Sequence, residues 1–224
     1  MHSMLIAVAT HNRPHITELS LAMLREIMGS ADHLLVYDDC STAYDKKWLM
    51  RFADEVICMP KQGGIERLRA RNFSDFVHLF REFDLLYTTD NDAIHGPGFS
   101  HRLRGLYGRY SADHVKFPVS LYNSRFHNQP EDVFFRDSEV SFRKTASGIS
   151  QMYDREMAQV IVNGLTLYPE LETEYAYDYN LPSLLGRPFL QSEVSLVEHF
   201  ARDRYEGGAR QKQRTRQAKC NGRF

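Results

Sequence analysis

Short apolar runs that alternate with segments of helical period restrict the first half of this chain to a layered α/β fold. Met4 to Thr10, His33 to Tyr37, Glu55 to Met59 and Phe83 to Thr89 have the length and character of buried strands. Between them Ile16, Leu19, Met23 and Ile27 recur at helical spacing. Trp48, Leu49, Phe52 and Ala53 suggest a short helix, and Ile65, Leu68, Phe76, Leu79 and Phe83 a long helix or two joined pieces. Strands that alternate with helices build parallel βαβ units. The expected architecture is a single α/β, Rossmann-like domain with a mostly parallel central sheet flanked by helices.

In such sheets ligands bind beyond the carboxyl ends of the strands. Each expected strand is followed by a polar cluster: Thr10-His11-Asn12, Asp38-Asp39, Lys61-Gln62-Gly63-Gly64 and Asp90-Asn91-Asp92. All four would lie along one edge of the sheet. Loops are polar in any case, but the density of carboxylates and glycines here favours a ligand site. Asp90 and Asp92 stand two residues apart at a strand end, where they can share one divalent cation. Hard cations such as Mg²⁺ and Mn²⁺ take oxygen ligands and bridge readily to a diphosphate. The competing reading of Asp-Asn-Asp is plain turn chemistry.

The second half alternates less clearly. Asp113 to Leu121 and Val133 to Phe142 read as strands joined by a polar loop from Asn123 to Asp132. Ile149 to Val162 reads as a helix, with Ser150 as its N-cap, and Tyr168 to Asn180 is acidic and rich in tyrosine. The chain of 224 residues is long enough for a sizeable core. No apolar run approaches the roughly 20 residues that span a bilayer, and no signal peptide is visible. Cys40, Cys58 and Cys220 have neither zinc spacing nor a disulfide pattern, so a cytoplasmic setting is expected. From Ala201 to Phe224 eight Lys or Arg face two acids, so this tail carries about +6; with −1 for the whole chain, the body carries about −7. Gly207-Gly208 marks the boundary. The expected layout is a domain over 1–206 and a basic tail over 207–224. The tail could be a solvated terminus or an arm for nucleic acid or an anionic surface.

Five segments carry a family likeness over roughly residues 4 to 200. They are Val8-Ala9-Thr10-His11-Asn12-Arg13-Pro14, Val36-Tyr37-Asp38-Asp39-Cys40-Ser41, Gly63-Gly64 followed by Arg69-Ala70-Arg71-Asn72, Asp90-Asn91-Asp92, and Ser195-Leu196-Val197-Glu198-His199. In order and spacing they resemble the nucleotide-sugar glycosyltransferases of GT-A fold, in particular family 2. The resemblance implies a donor half at about 1–100 and an acceptor half at about 101–206. Asp92 would hold Mn²⁺ or Mg²⁺ directly, Asp90 would bind it through water or contact the ribose, and His199 would complete the metal shell. Asp39 would accept from the nucleobase, with Asp38 tying down the turn. Thr10 and Asn12 would flank the base, Arg71 would face base or phosphates, and Gly64 and Asn91 would belong to the donor site. Many relatives carry a Glu-Asp pair, one residue, then Asp-Leu at a late helix. The matching stretch here is Tyr177-Asp178-Tyr179-Asn180-Leu181, in which Asp178 alone keeps its carboxylate. Asp178 is the candidate general base, with Glu174 next. Ser147 to Ser150 would shape the acceptor side or simply start a helix.

The reaction implied is metal-dependent transfer of a sugar, with inversion, from a nucleotide-diphosphate sugar to an acceptor hydroxyl. A UDP-sugar is the favoured donor and a saccharide or glycan the favoured acceptor. A hydroxymethylated base in DNA is the alternative acceptor, which the basic tail fits and the acidic body does not. Two other classes compete. A nucleotidyltransferase usually has a Gly-rich basic loop after its first strand, where this chain has Thr10-His11-Asn12-Arg13-Pro14. A non-catalytic sugar-nucleotide-binding module would have no need of both Asp90 and Asp92 together with a base.

Overall fold

A computed structural model describes residues 2–111, 115–124, 127–169 and 184–200. Its centre is β1 (Met4–Thr10), all seven residues of which are buried. A strand covered on both faces has no solvent side to mark with polar residues, which is why this segment is continuously apolar. β1 pairs in parallel with β2 (Asp32–Asp38) on one side and β4 (Leu85–Asp90) on the other, and β2 pairs with β3 (Glu55–Cys58). The crossovers are made by α1 (Pro14–Ile27), the short α2 (Lys46–Leu49) and α3 (Ile65–His78). The first half of the chain, through β4, is therefore the parallel α/β layer that the alternation of runs predicts.

After β4 come β5 (Ala93–His95), α4 (Phe99–Tyr110), β6 (Val119–Ser120), a 3-10 turn at Pro130–Asp132, β7 (Val133–Arg136), β8 (Val140–Arg143), β9 (Ser150–Asp154), α5 (Arg155–Leu167), β10 (Phe189–Ser192) and β11 (Val197–His199). Nine strands form one sheet in the order β3-β2-β1-β4-β9-β6-β10-β8-β7, and β11 and β5 form a small second sheet. β9 inserts antiparallel beside β4 and carries the sheet into the second half of the chain. No helix among the described residues is long and apolar enough to cross a membrane.

Three expectations for local structure are corrected. Ile149 to Val162 is not one helix: Ser150–Asp154 is a strand buried along its whole length, and the helix starts at Arg155. Asp154 is the N-cap, accepting from Met157 N at 2.8 Å, while Ser150 Oγ lies buried and accepts from Tyr87 OH at 3.0 Å. Val133 to Phe142 is two strands, split where Asp137 Oδ1 takes the amides of Glu139 and Val140, each at 2.7 Å. In Asp113 to Leu121 only Val119–Ser120 is strand among the described residues. The helix α1 exists as expected but buries Thr17, Ser20, Leu21 and Leu24, and leaves Leu19 exposed. Thr17 and Ser20 face inward because they have partners there: Ser20 Oγ donates to Ala93 O at 2.7 Å, and Thr17 Oγ1 to Asn12 O at 3.2 Å. Polar residues with such partners rotate the buried face away from the one that hydropathy alone selects.

Arg155 fastens the two halves. Its guanidinium donates to the carbonyls of Phe76, Phe80 and Phe83 at 2.6–2.9 Å, and it lies over the Phe76 ring at 4.4 Å. Carbonyls at and beyond a helix C-terminus have no partner within the helix, and a cation supplies one.

Candidate active site

The parallel registers bring the polar clusters together. Thr10 lies opposite Asp38 and Ala9 opposite Asp90, so the loops after β1, β2 and β4 leave the same sheet edge side by side. The small sheet adds the fourth element. His199 of β11 pairs with Ala93 of β5, and Phe200 N donates to Asp92 O at 2.9 Å. A residue far along the chain is thereby set against the acidic motif.

Asp92 is the focus of the charges. Its Oδ1 lies 3.3 Å from His199 Nε2 and its Oδ2 2.8 Å from Arg13 Nη1, with only 8% of its side chain exposed. Burial alone would raise the Asp92 carboxyl. The His199 hydrogen bond and charge, joined by the Arg13 guanidinium, outweigh it and hold the group below the usual carboxylate range. His199 shows the mirror image: burial would lower its imidazole, but Asp92 and, at longer range, Asp90 bring it above its ordinary value. His95, close by in sequence, is different. Full burial pushes it down to about 3, and it packs as a neutral ring against Tyr87 and Phe99.

Asp90 is held by Arg69, whose Nη2 donates to Asp90 Oδ1 at 2.6 Å and to Gly148 O at 3.0 Å. Arg69 is 1% exposed. It ties the acidic motif to the segment after β8, which Thr89 Oγ1 also grips through Ile149 O at 2.7 Å. Arg71, expected to face base or phosphates, is half exposed and pairs with Asp75 at 2.7 Å, which also accepts from Tyr37 OH. Residues two apart in a helix point about 200° apart. Of the two arginines it is Arg69 that points at Asp90.

The remaining expected donor residues mostly shape loops. Asp39 accepts from Gly63 N at 2.7 Å and Gly64 N at 2.9 Å, one amide per oxygen, and is 3% exposed. Gly64 has φ 87°, a value that suits glycine, at the N-cap of α3. Asp38 does tie down its turn, accepting from Ser41 N at 3.0 Å and from Ser41 Oγ. Asn12 Oδ1 accepts from Thr42 N at 2.9 Å and Ala43 N at 3.1 Å. Thr10 Oγ1 is buried against Tyr44 OH and Thr17, and Asn91 Nδ2 donates to Thr17 Oγ1 at 2.6 Å, so both brace the β1 loop from beneath. His11 stands at the open side of that loop. Its Nδ1 faces Asp39 O at 2.9 Å, which makes Nδ1 the donor and leaves Nε2 to accept from Asn12 at 3.0 Å and Gln62 at 3.3 Å.

Asp178, Glu174 and the basic tail lie outside the described residues. Arg13, Arg69 and His11 belong to the site and were not singled out by the sequence. Arg69 had one legible sign: it shares a helical face with Leu68, Asn72, Phe73 and Phe76, all buried.

Among the described residues no three His, Cys, Asp or Glu side chains close around one point. The donor set nonetheless fits a divalent cation held partly by its ligand. Asp92 is a buried carboxylate with Arg13 on one oxygen and His199 on the other, and the neutral His199 ring would offer a nitrogen beside it. Mg²⁺ characteristically takes one or two carboxylates and completes its shell with phosphates and water.

No protein-family model matches the sequence, and no curated protein matches it in sequence. Solved structures do match in shape. GalNAc-T7, in a structure with UDP, GalNAc and Mn²⁺, superposes with a TM-score of 0.64 at 10% identity, over 89% of this chain and 44% of that one. Residues 1–349 of TarS from S. aureus give 0.57 at 16% identity, over 91% and 62%. The mannosyltransferase PcManGT from Pyrobaculum calidifontis, in complex with GDP-Man and Mn²⁺, gives 0.57 at 14% identity, over 87% and 54%. The chain thus spans about half the length of the structures it matches. At these identities the likeness is one of architecture, and that architecture, a parallel β3-β2-β1-β4 layer continued by a mixed second half, is the GT-A fold of the nucleotide-sugar glycosyltransferases.

Proposed function

We propose that this chain is a metal-dependent glycosyltransferase that moves a sugar from a nucleoside-diphosphate sugar, with UDP-sugar the favoured donor, to an acceptor hydroxyl with inversion. The observation that carries this is the buried Asp92, set between Arg13 and His199 where the ends of β1, β4 and β11 meet. In a GT-A fold this is the edge that a nucleotide diphosphate would occupy.

Breaking the anomeric bond leaves negative charge on the diphosphate. Mn²⁺ or Mg²⁺, held by Asp92 and His199 with Asp90 behind water, would supply Lewis-acid stabilisation of that charge. Arg69 fixes the direction of Asp90, and the Gly63-Gly64 turn, clamped by Asp39, keeps the backbone open to the nucleoside side. His11, Asn12 and Gln62 stand at that side with donors and an acceptor for a base edge. Asp39 has an amide on each oxygen, so its contact with the base would use the lone pairs that remain. Asp178 would take the proton of the attacking hydroxyl on the face opposite the diphosphate, which inverts the anomeric carbon. Cys40 and Cys58 carry free thiols, which supports a reducing compartment, the cytoplasm.

The test is thermal unfolding of the full chain with UDP-, GDP- and other nucleotide sugars, each with and without Mn²⁺. A ligand at a hundred times its Kd adds about 2.7 kcal/mol, which for a chain of this size raises Tm by roughly 5–10 °C. One nucleotide sugar should do so, and only with the metal. Slow metal-dependent release of free sugar from that donor would separate a transferase from a binding module, and release of pyrophosphate from a nucleoside triphosphate would point to a nucleotidyltransferase. A flat response to every donor refutes the proposal.

A saccharide or glycan is the acceptor we favour. The tail supports a second reading, in which the acceptor is a hydroxymethylated base in DNA. Deleting residues 209–224 should then weaken DNA binding and flatten its salt dependence, because each neutralised phosphate contributes nearly one unit to the slope. Donor binding should be unchanged. With a saccharide acceptor the same deletion leaves transfer intact, and the full chain shifts no DNA in a gel at physiological salt.

A further inference from the structure

Arg13 sits at Asp92 by way of an unusual backbone. Asn12 and Arg13 are consecutive non-glycine residues in the left-handed region, at φ 53° and 58°. Such residues are uncommon, and the surroundings must offset their cost. Here the offset is visible. Asn12 Oδ1 takes the amides of Thr42 and Ala43, Asn12 N donates to Ser41 Oγ at 2.8 Å, and Arg13 O accepts from Thr17 N at 3.0 Å as α1 begins. The result is a guanidinium aimed back across the sheet edge at Asp92 Oδ2, 2.8 Å away.

The two arginines of the site are held very differently. Arg69 is 1% exposed and anchored to both Asp90 and Gly148 O, so it cannot leave. Arg13 keeps 43% of its side chain in solvent, against 8% for the Asp92 that it pairs with. Water can receive Arg13 when it moves, whereas Asp92 stays where it is. A divalent ion held between Asp92 Oδ1 and His199 would put a second cationic centre on the carboxylate whose Oδ2 Arg13 holds, and the two cations repel.

We propose that Arg13 is an internal stand-in cation: it neutralises Asp92 before ligand arrives, then passes to the donor's diphosphate as the divalent ion takes its place. The inference rests on the proposed donor reading and assigns Arg13 a part in it. The ion alone must bind against the charge of Arg13 and brings no anion in exchange. The ion arriving with a diphosphate brings an anion that the guanidinium can bind in a charge-assisted pair. Metal and diphosphate are therefore coupled through Arg13, and by linkage each raises the affinity for the other by the same factor.

The experiment is titration of Mn²⁺ into the full-length protein, read by the electron paramagnetic resonance of the free ion, with and without UDP or GDP. It compares wild type with Arg13→Gly and Arg13→Gln. Glycine adopts φ 58° without steric cost, and a cooperative melt of each variant shows that it is folded. Glutamine keeps much of the length without the charge. Both variants should bind Mn²⁺ alone about tenfold more tightly than wild type, and the nucleoside diphosphate should raise Mn²⁺ affinity in wild type by roughly 5–150-fold but far less in the variants. If Mn²⁺ alone binds the variants no better while wild type still binds Mn²⁺ with the nucleoside diphosphate, the role of Arg13 is refuted and the donor reading stands. If wild type binds Mn²⁺ with neither UDP nor GDP, the donor reading fails and the role of Arg13 falls with it.

Discussion

Asp92→Asn should reduce sugar transfer to background while the protein still folds. The substitution keeps the shape of the side chain and removes its charge. The new amide oxygen could still accept from His199 or Arg13, but a neutral amide is a poor ligand for a divalent ion. Removing a charge-assisted bond costs about 1.5–3 kcal/mol; Arg13, 43% exposed, recovers part of this by returning to water. That is less than the roughly 5–15 kcal/mol by which domains are stable, so circular dichroism and a cooperative melt should persist. The metal-dependent part of the donor's thermal shift should disappear. Transfer by the variant at the wild-type rate would falsify the metal role of this motif.

Asp178→Asn is expected to separate binding from chemistry. Nucleotide and metal affinity should be unchanged, because the proposed donor edge is built from the loops after β1 to β4 and from β11. Transfer should fall by roughly a hundredfold or more, the usual scale for loss of a general base. The KM for donor should stay constant while kcat drops. Loss of donor binding as well would give Asp178 a metal-binding or structural part. Full activity would move the role of base to Glu174 or to the solvent.

The fold of the first half was legible because its signals are local. A strand buried on both faces favours a continuous apolar run, and residues 4–9 in β1, 34–37 in β2 and 85–87 in β4 supply one. A helix packed on such a layer must repeat at 3.6 residues, and α1 and α3 do. Polar clusters after parallel strands then share one edge by topology alone, which is how Asp38, Asp39, Asp90 and Asp92 could be assigned to a common site without coordinates.

Other features depend on partners far away in the chain. Ser150–Asp154 is a strand because β4 and β6 offer it hydrogen bonds on both sides, and Ser-Gln-Met-Tyr-Asp has neither the apolar run nor the alternation that would say so. α1 turns Thr17 and Ser20 inward because acceptors wait there, a fact no hydropathy pattern records. Arg69 and Arg71 look equivalent in sequence, but the helix can point only one of them at Asp90. Residue order was enough to specify a parallel α/β layer with carboxylates along one edge. How those charges are neutralised was settled by long-range pairing: the β5–β11 contact seats His199 against Asp92, and the left-handed turn at Asn12 and Arg13 aims a guanidinium at the same carboxylate. Charge compensation depends on distance in space, and residue order does not contain it.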